Sequence, residues 1–277
     1  MVDKVSSGFE RMIKNNPISR LFELLTFIKV RKKDTRFPIV LWKVLLAYSL
    51  LVALLIIICF YFIDNPYLKL HQEGALPSHF IFEYVTKIGK SNWVLILTGI
   101  FILGLGIKTG NQYKGNLHAV WHRVFFTCWF IFYSIAASGI VTIFLKYCFG
   151  RSRPSSISGD NAILFSPFEG GYYFASFPSG HSTTVGALAM ILILFFPRHK
   201  LAFILLAIFA SSTRFIVGAH FPSDVIMGLF IGAAFTWVYA RSMAYHRLLF
   251  GFAENGTLRL RGEGRGHYHK IGTMFFK

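Results

Sequence analysis

Residues 39–63 read "IVLWKVLLAYSLLVALLIIICFYFI", with Lys43 as the one charged side chain. A continuous apolar run of this length crosses about 30 Å of hydrocarbon as a helix. It does not alternate as the strands of a membrane barrel do. Working outward, five more runs follow: 92–107 "NWVLILTGIFILGLGI", 124–145, 182–197, 200–218 and 224–241 "DVIMGLFIGAAFTWVYAR", of which the second and fourth spans are short. Over the 277 residues, 54% are hydrophobic and only 15% charged. The expected fold is all-α, a polytopic membrane protein with six transmembrane helices in a bundle.

Cations orient the bundle. Lys4 to Arg36 precede the first run, Arg241 to Lys277 follow the last, and Lys108, Lys114, Arg123, Arg198 and Lys200 fall in the loops after the second and fourth. The positive-inside rule then puts both termini in the cytoplasm. The connections 64–91, 146–181 and 213–223 lie on the opposite side. Three divisions follow: a basic cytoplasmic segment 1–38, a membrane domain 39–241 and a cytoplasmic tail 242–277. The formal charge of +17 fits anionic headgroups. No nucleic-acid motif accompanies it, so the expected partner is a lipid bilayer.

Residues 17–30, "PISRLFELLTFIKV", have the spacing of an amphipathic helix, either on the inner interface or packed on the bundle. An outer interfacial helix is expected within 65–91. The stretch "ENGTLRLRGEGRGHYHK" reads as a mobile tail whose His267 and His269 are solvated. Cys59, Cys128 and Cys148 have neither zinc nor disulfide spacing.

Ionisable groups near hydrocarbon are costly and mark function. Three stretches concentrate them on the outer side. "KYCFGRSRP" supplies Lys146, Arg151, Arg153 and Pro154, "SFPSGHSTT" supplies Ser179, Gly180 and His181, and "TRFIVGAHFPSD" supplies Arg214, His220 and Asp224. Lys146, Arg153 and Arg214 are cationic donors, and arginine grips phosphate with parallel hydrogen bonds. Ser179 adds a hydroxyl. Gly180 lets the backbone come close at a helix N-terminus, where free N–H groups favour an anion. One histidine attacks phosphorus and the other protonates the leaving oxygen. Asp224, four residues after His220, is within reach of its ring, which makes His220 the better nucleophile candidate and His181 the better acid. Cations repel a metal and a single aspartate holds Mg²⁺ poorly, so neither a metal nor another cofactor is expected.

In order and spacing these motifs resemble the type 2 phosphatidic acid phosphatase family, whose superfamily includes the vanadium haloperoxidases. The family pattern Lys, six residues, Arg-Pro corresponds to Lys146 to Pro154. Pro-Ser-Gly-His corresponds to Pro178 to His181. Ser-Arg, five residues, His, three residues, Asp corresponds to Arg214, His220 and Asp224, with Thr213 in place of serine. The resemblance implies a six-helix bundle and a phosphohistidine intermediate. It assigns Lys146, Arg153, Ser179, Gly180 and Arg214 to the phosphate, and makes His220 the nucleophile, Asp224 its partner and His181 the acid. Arg151 has no counterpart role and reads as a lipid-facing or loop cation. The implied activity is hydrolysis of an envelope lipid phosphate, with undecaprenyl diphosphate, lipid A or a phospholipid phosphate as substrate, on the periplasmic side of a bacterial inner membrane. Transfer of phosphate to another acceptor, and lipid binding or transport without catalysis, are the alternatives. The loop "GDNAILFSPFEGGYYFAS" is expected to cover the site.

Overall fold

The computed structural model describes residues 33–75, 82, 86, 89–108 and 116–261. The stretch 17–30, His267 and His269 lie outside them, as does most of the stretch 76–88. The elements in chain order are α1 (Trp42–Phe62), α2 (Asp64–Gln72), α3 (Asn92–Lys108), α4 (Asn116–Phe149), α5 (Gly180–Phe195), α6 (Lys200–Ile216), α7 (Pro222–Tyr245), β1 (Phe250–Phe252) and β2 (Leu258–Leu260). A helix therefore stands at each of the six apolar runs.

Among the described residues, four helical stretches are long and apolar enough to cross a membrane: Trp42–Phe62, Val120–Phe149, Pro197–Ile216 and Pro222–Tyr245. The chain is a multi-pass membrane protein. α5, with 16 residues, rises about 24 Å. Large apolar side chains stand exposed along α1, among them Leu46, Leu50, Leu54 and Ile57, as a helix facing lipid requires.

The described residues divide into two compact units, Val40–Leu95 with Ile131–Tyr239, and the remainder. In the remainder, Arg241 donates to the carbonyls of Pro38 and Ile39, and Phe250 and Phe252 are buried. β1 pairs antiparallel with β2, Phe250 opposite Leu260. This hairpin departs from both the all-α expectation and the expected mobile tail, since residues 254–260 are part of it. "FGF" alternates buried and half-buried positions, and Gly256, at φ 76°, turns the chain.

The first unit holds every motif residue. In it α5 packs closely against α7, and glycine permits the approach. A Cβ on Gly232 would lie 2.0 Å from the Thr183 carbonyl oxygen, and one on Gly228 2.4 Å from that of Ser179. Small residues spaced by four let membrane helices approach to backbone contact. Thr183 also shares a buried hydroxyl hydrogen bond of 2.9 Å with Thr142 of α4. α2 joins the same unit through Tyr67, whose hydroxyl donates to the Phe215 carbonyl at 2.6 Å, and through a cluster of Tyr67, Leu68, Ile157, Ala162 and Phe221.

Candidate active site

The three motifs converge. Lys146 belongs to the last turn of α4, which continues past the expected end of its span, and Arg214 to the last turn of α6. Gly150 then turns the chain with φ 58°; a Cβ there would sit 1.8 Å from the Ser166 carbonyl oxygen, so only glycine fits. The following residues lead back, with Arg151 bridged to Phe165 and the Arg153 amide bonded to the Tyr173 carbonyl.

The cations crowd one place. Lys146 and Arg153 both donate to the Ala175 carbonyl, and Arg153 also reaches that of Ala219, next to His220. Arg153 stacks over the Tyr172 ring at 4.0 Å and donates to the Tyr172 carbonyl. The expected covering loop thus contributes Tyr172 to Ser176 to the site. Arg214 donates to the Thr86 hydroxyl at 2.8 Å, and its buried Nε has no partner among the described residues. Arg214, Lys146 and Arg153 are all within electrostatic reach of His181.

Ser179 is fully buried and caps α5. Its oxygen accepts from the Ser182 hydroxyl at 3.1 Å, which leaves its own proton to donate. Its amide donates to the Asp224 carbonyl at 3.0 Å, joining the second motif to the third. A Cβ on Gly180 would meet only the Lys146 Cε, at 3.9 Å, so the first turn of α5, whose N–H groups lack helical acceptors, faces the lysine.

His220 is buried. Burial pushes its imidazole down to about 3, against the pull of Asp224, so the ring is neutral at neutral pH. Nδ1 stands 3.5 Å from Asp224 Oδ2 and forms no hydrogen bond among the described residues, a looser contact than the spacing predicts. The reason is competition for the carboxylate. Oδ2 accepts from the Ser176 hydroxyl at 2.6 Å and the Phe221 amide at 2.9 Å, and Oδ1 from Arg151 at 2.6 Å.

Arg151 is the main correction. It is neither lipid-facing nor a loop cation but fully buried. One end of its guanidinium binds Asp224 and the Ser223 hydroxyl, and the other binds Asp64 at 2.9 Å and the Ala162 carbonyl at 2.9 Å. Asp64, the first residue of α2, also accepts from the Ser223 hydroxyl at 2.5 Å. Burial raises its carboxyl above the ordinary value, with Arg151 and Ser223 opposing. Sequence reasoning missed Asp64, Ser176 and Ser223. Two buried groups of opposite charge are the available signal for Asp64 and Arg151, but chain separation hides their pairing. Among the described residues no group of three His, Cys, Asp or Glu is placed to hold a metal.

A helical membrane fold with histidines beside a nest of half-buried cations defines a class of phosphate-handling membrane protein. The PAP2 superfamily pattern matches residues 127–248. A lipid A 1-phosphatase of Rhizobium johnstonii is 38% identical over 67% of this chain and 76% of its own. One of Rhizobium etli is 38% identical over 63% and 75%. A lipid A 4'-phosphatase of Bacteroides thetaiotaomicron is 35% identical over 35% and 44%. A crystal structure of a transmembrane PAP2 type phosphatidylglycerolphosphate phosphatase from Bacillus subtilis aligns over 72% of this chain and 94% of that one, at 18% identity and a TM-score of 0.47. The chain belongs to the PAP2 superfamily, and it is a phosphatase.

Proposed function

We propose that the chain hydrolyses a phosphate from an envelope lipid through a phosphohistidine on His220, with the 1-phosphate of lipid A as the leading substrate. The convergence of Lys146, Arg153 and Arg214 on two histidines carries this reading. The two rhizobial relatives favour lipid A over undecaprenyl diphosphate or a phospholipid phosphate. The helices at the six apolar runs, α1 and α3 to α7, cross the bilayer with both termini inside, so the site opens to the periplasm of an inner membrane.

The three cations, the Ser179 hydroxyl and the amides at Gly180 bind the phosphate oxygens. Nδ1 of His220 faces Asp224, so Nε2 is the free nucleophile. It attacks phosphorus; the ester P–O bond breaks and His181 gives its proton to the leaving oxygen. Water then attacks the phosphohistidine, its proton passes to His181, the P–N bond breaks and inorganic phosphate leaves. No metal enters, because the buried carboxylates are already committed to Arg151. Beside the site, a cavity of about 350 Å³ lined by Val52, Ile56, Phe60, Phe149, Phe177 and Met227 suits an acyl chain of the substrate.

Purified protein in detergent, given lipid A, undecaprenyl diphosphate, and long- and short-chain phosphatidic acid, tests the reading. The expected result is phosphate release from lipid A, lost in His220→Ala, and a lower KM for the longer chain. Release from none of them, or equal release by His220→Ala, overturns it.

A further inference from the structure

Asp64 and Asp224 lie far apart in the chain, yet they share one guanidinium. Arg151 meets Asp224 Oδ1 at 2.6 Å and Asp64 Oδ2 at 2.9 Å, and all three side chains are fully buried. Phe60, Phe165 and Phe221 surround the guanidinium carbon at 4.7, 5.7 and 4.2 Å. Every polar partner of Asp64 is a donor: Arg151, the Ser223 hydroxyl and the Ser223 amide. Arg151 and the Ser223 amide can only donate, and the Ser223 hydroxyl, which already accepts from Arg151, has its own proton to give, so the ionised form is the one these contacts satisfy.

The charges then decide what Asp224 has to spare. Arg151 with Asp224 alone is a neutral pair, whose pull on a cationic histidine beside it is weaker than that of a free carboxylate. Asp64 adds a second negative charge, so the trio carries a net charge of minus one. When His220 attacks phosphorus its ring becomes cationic, and the group of four sums to zero. The other charges felt at His220 are Lys146 and Arg153, which both oppose a positive ring. In a dry site an uncompensated charge is costly.

We infer that Asp64 is a positioning residue for the reaction: by sharing Arg151 it leaves Asp224 a net negative charge with which to hold His220 as that ring turns cationic. This rests on the phosphohistidine reading above. The role reaches from the first residue of α2, outside the 127–248 region that matches the family.

The test compares Asp64→Asn with the double variant Asp64→Asn/Arg151→Gln, each checked for folding by its detergent melting curve. The single variant loses the spare charge. The double variant loses every ion pair of the trio but returns the net charge to minus one. The expected result is a kcat at least tenfold lower for the single variant with KM within twofold, and recovery of most of that loss in the double variant. A merely structural role makes the double variant no better than the single, and that result overturns the inference, as does an Asp64→Asn with wild-type kcat. If the single variant does not fold, the double variant decides alone: turnover within tenfold of wild type supports the charge count, and less refutes it. A readout without turnover separates this proposal from the substrate reading. Vanadate bonds to a histidine nitrogen, whereas inorganic phosphate only occupies the anion site. In Asp64→Asn the Kd for vanadate rises at least tenfold and that for phosphate stays within twofold; equal changes in the two contradict the inference even if no lipid is turned over.

Discussion

Gly232→Ala adds one methyl group at the seam between α5 and α7. That carbon would stand 2.0 Å from the Thr183 carbonyl oxygen and 2.6 Å from the Ala187 amide nitrogen. Ordinary contact starts at 3.4 Å, so the two helices must part by 3.4 − 2.0, or about 1.4 Å. Both obstacles are helical backbone, which does not swing aside. Overpacking of this kind costs about 1–3 kcal/mol. The functional cost is larger, because α5 carries Ser179, Gly180 and His181 while α7 carries Asp224. A misplacement of about 1 Å in reacting groups lowers the rate by about 10²-fold. Gly232→Ala is therefore expected to melt earlier in detergent and to release phosphate about a hundredfold more slowly. Gly139→Ala is the control: its added carbon meets nothing within 4 Å, so stability stays within about 0.5 kcal/mol and turnover is unchanged. Wild-type melting and turnover in Gly232→Ala would refute the claim that backbone contact between α5 and α7 assembles the site.

Three further outcomes follow from the geometry. His181→Ala slows release by about 10²–10⁴-fold, most with poor leaving groups, as loss of a general acid does, and a leaving-group series measures it. EDTA leaves the rate unchanged while vanadate inhibits; loss of activity in EDTA with rescue by Mg²⁺ contradicts a site built from cations and imidazoles. Arg151→Ala strands two buried carboxylates, a loss of about 3–5 kcal/mol, so its melting midpoint falls further than that of Arg153→Ala, whose side chain is only partly buried.

What the sequence disclosed depended on distance along the chain. The six helices were legible because each is a continuous apolar run. Arg214, His220 and Asp224 were legible because a few residues of spacing hold them around the one turn that joins α6 to α7. Asp64 was not: it sits 159 residues from Ser223, and only the folded bundle shows that both serve Arg151. Arg151 stood in plain view within the first motif, yet a boundary cation and a buried one look alike in a sequence. The hairpin at 250–260 was hidden by a Gly- and Arg-rich composition that also describes unstructured tails. "GLFIG" in α7 held the packing signal for the α5 contact, legible once a partner helix is known.

The central claim is that His220 takes the phosphoryl group from a lipid. Mixing the protein with ³²P-labelled lipid A, quenching in alkali within milliseconds and sequencing the labelled peptide tests it most directly. The expected result is phosphohistidine at His220, formed and lost at rates that match turnover and absent in His220→Ala. Phosphate release that proceeds with no label on the protein, or with label on another residue, would contradict it.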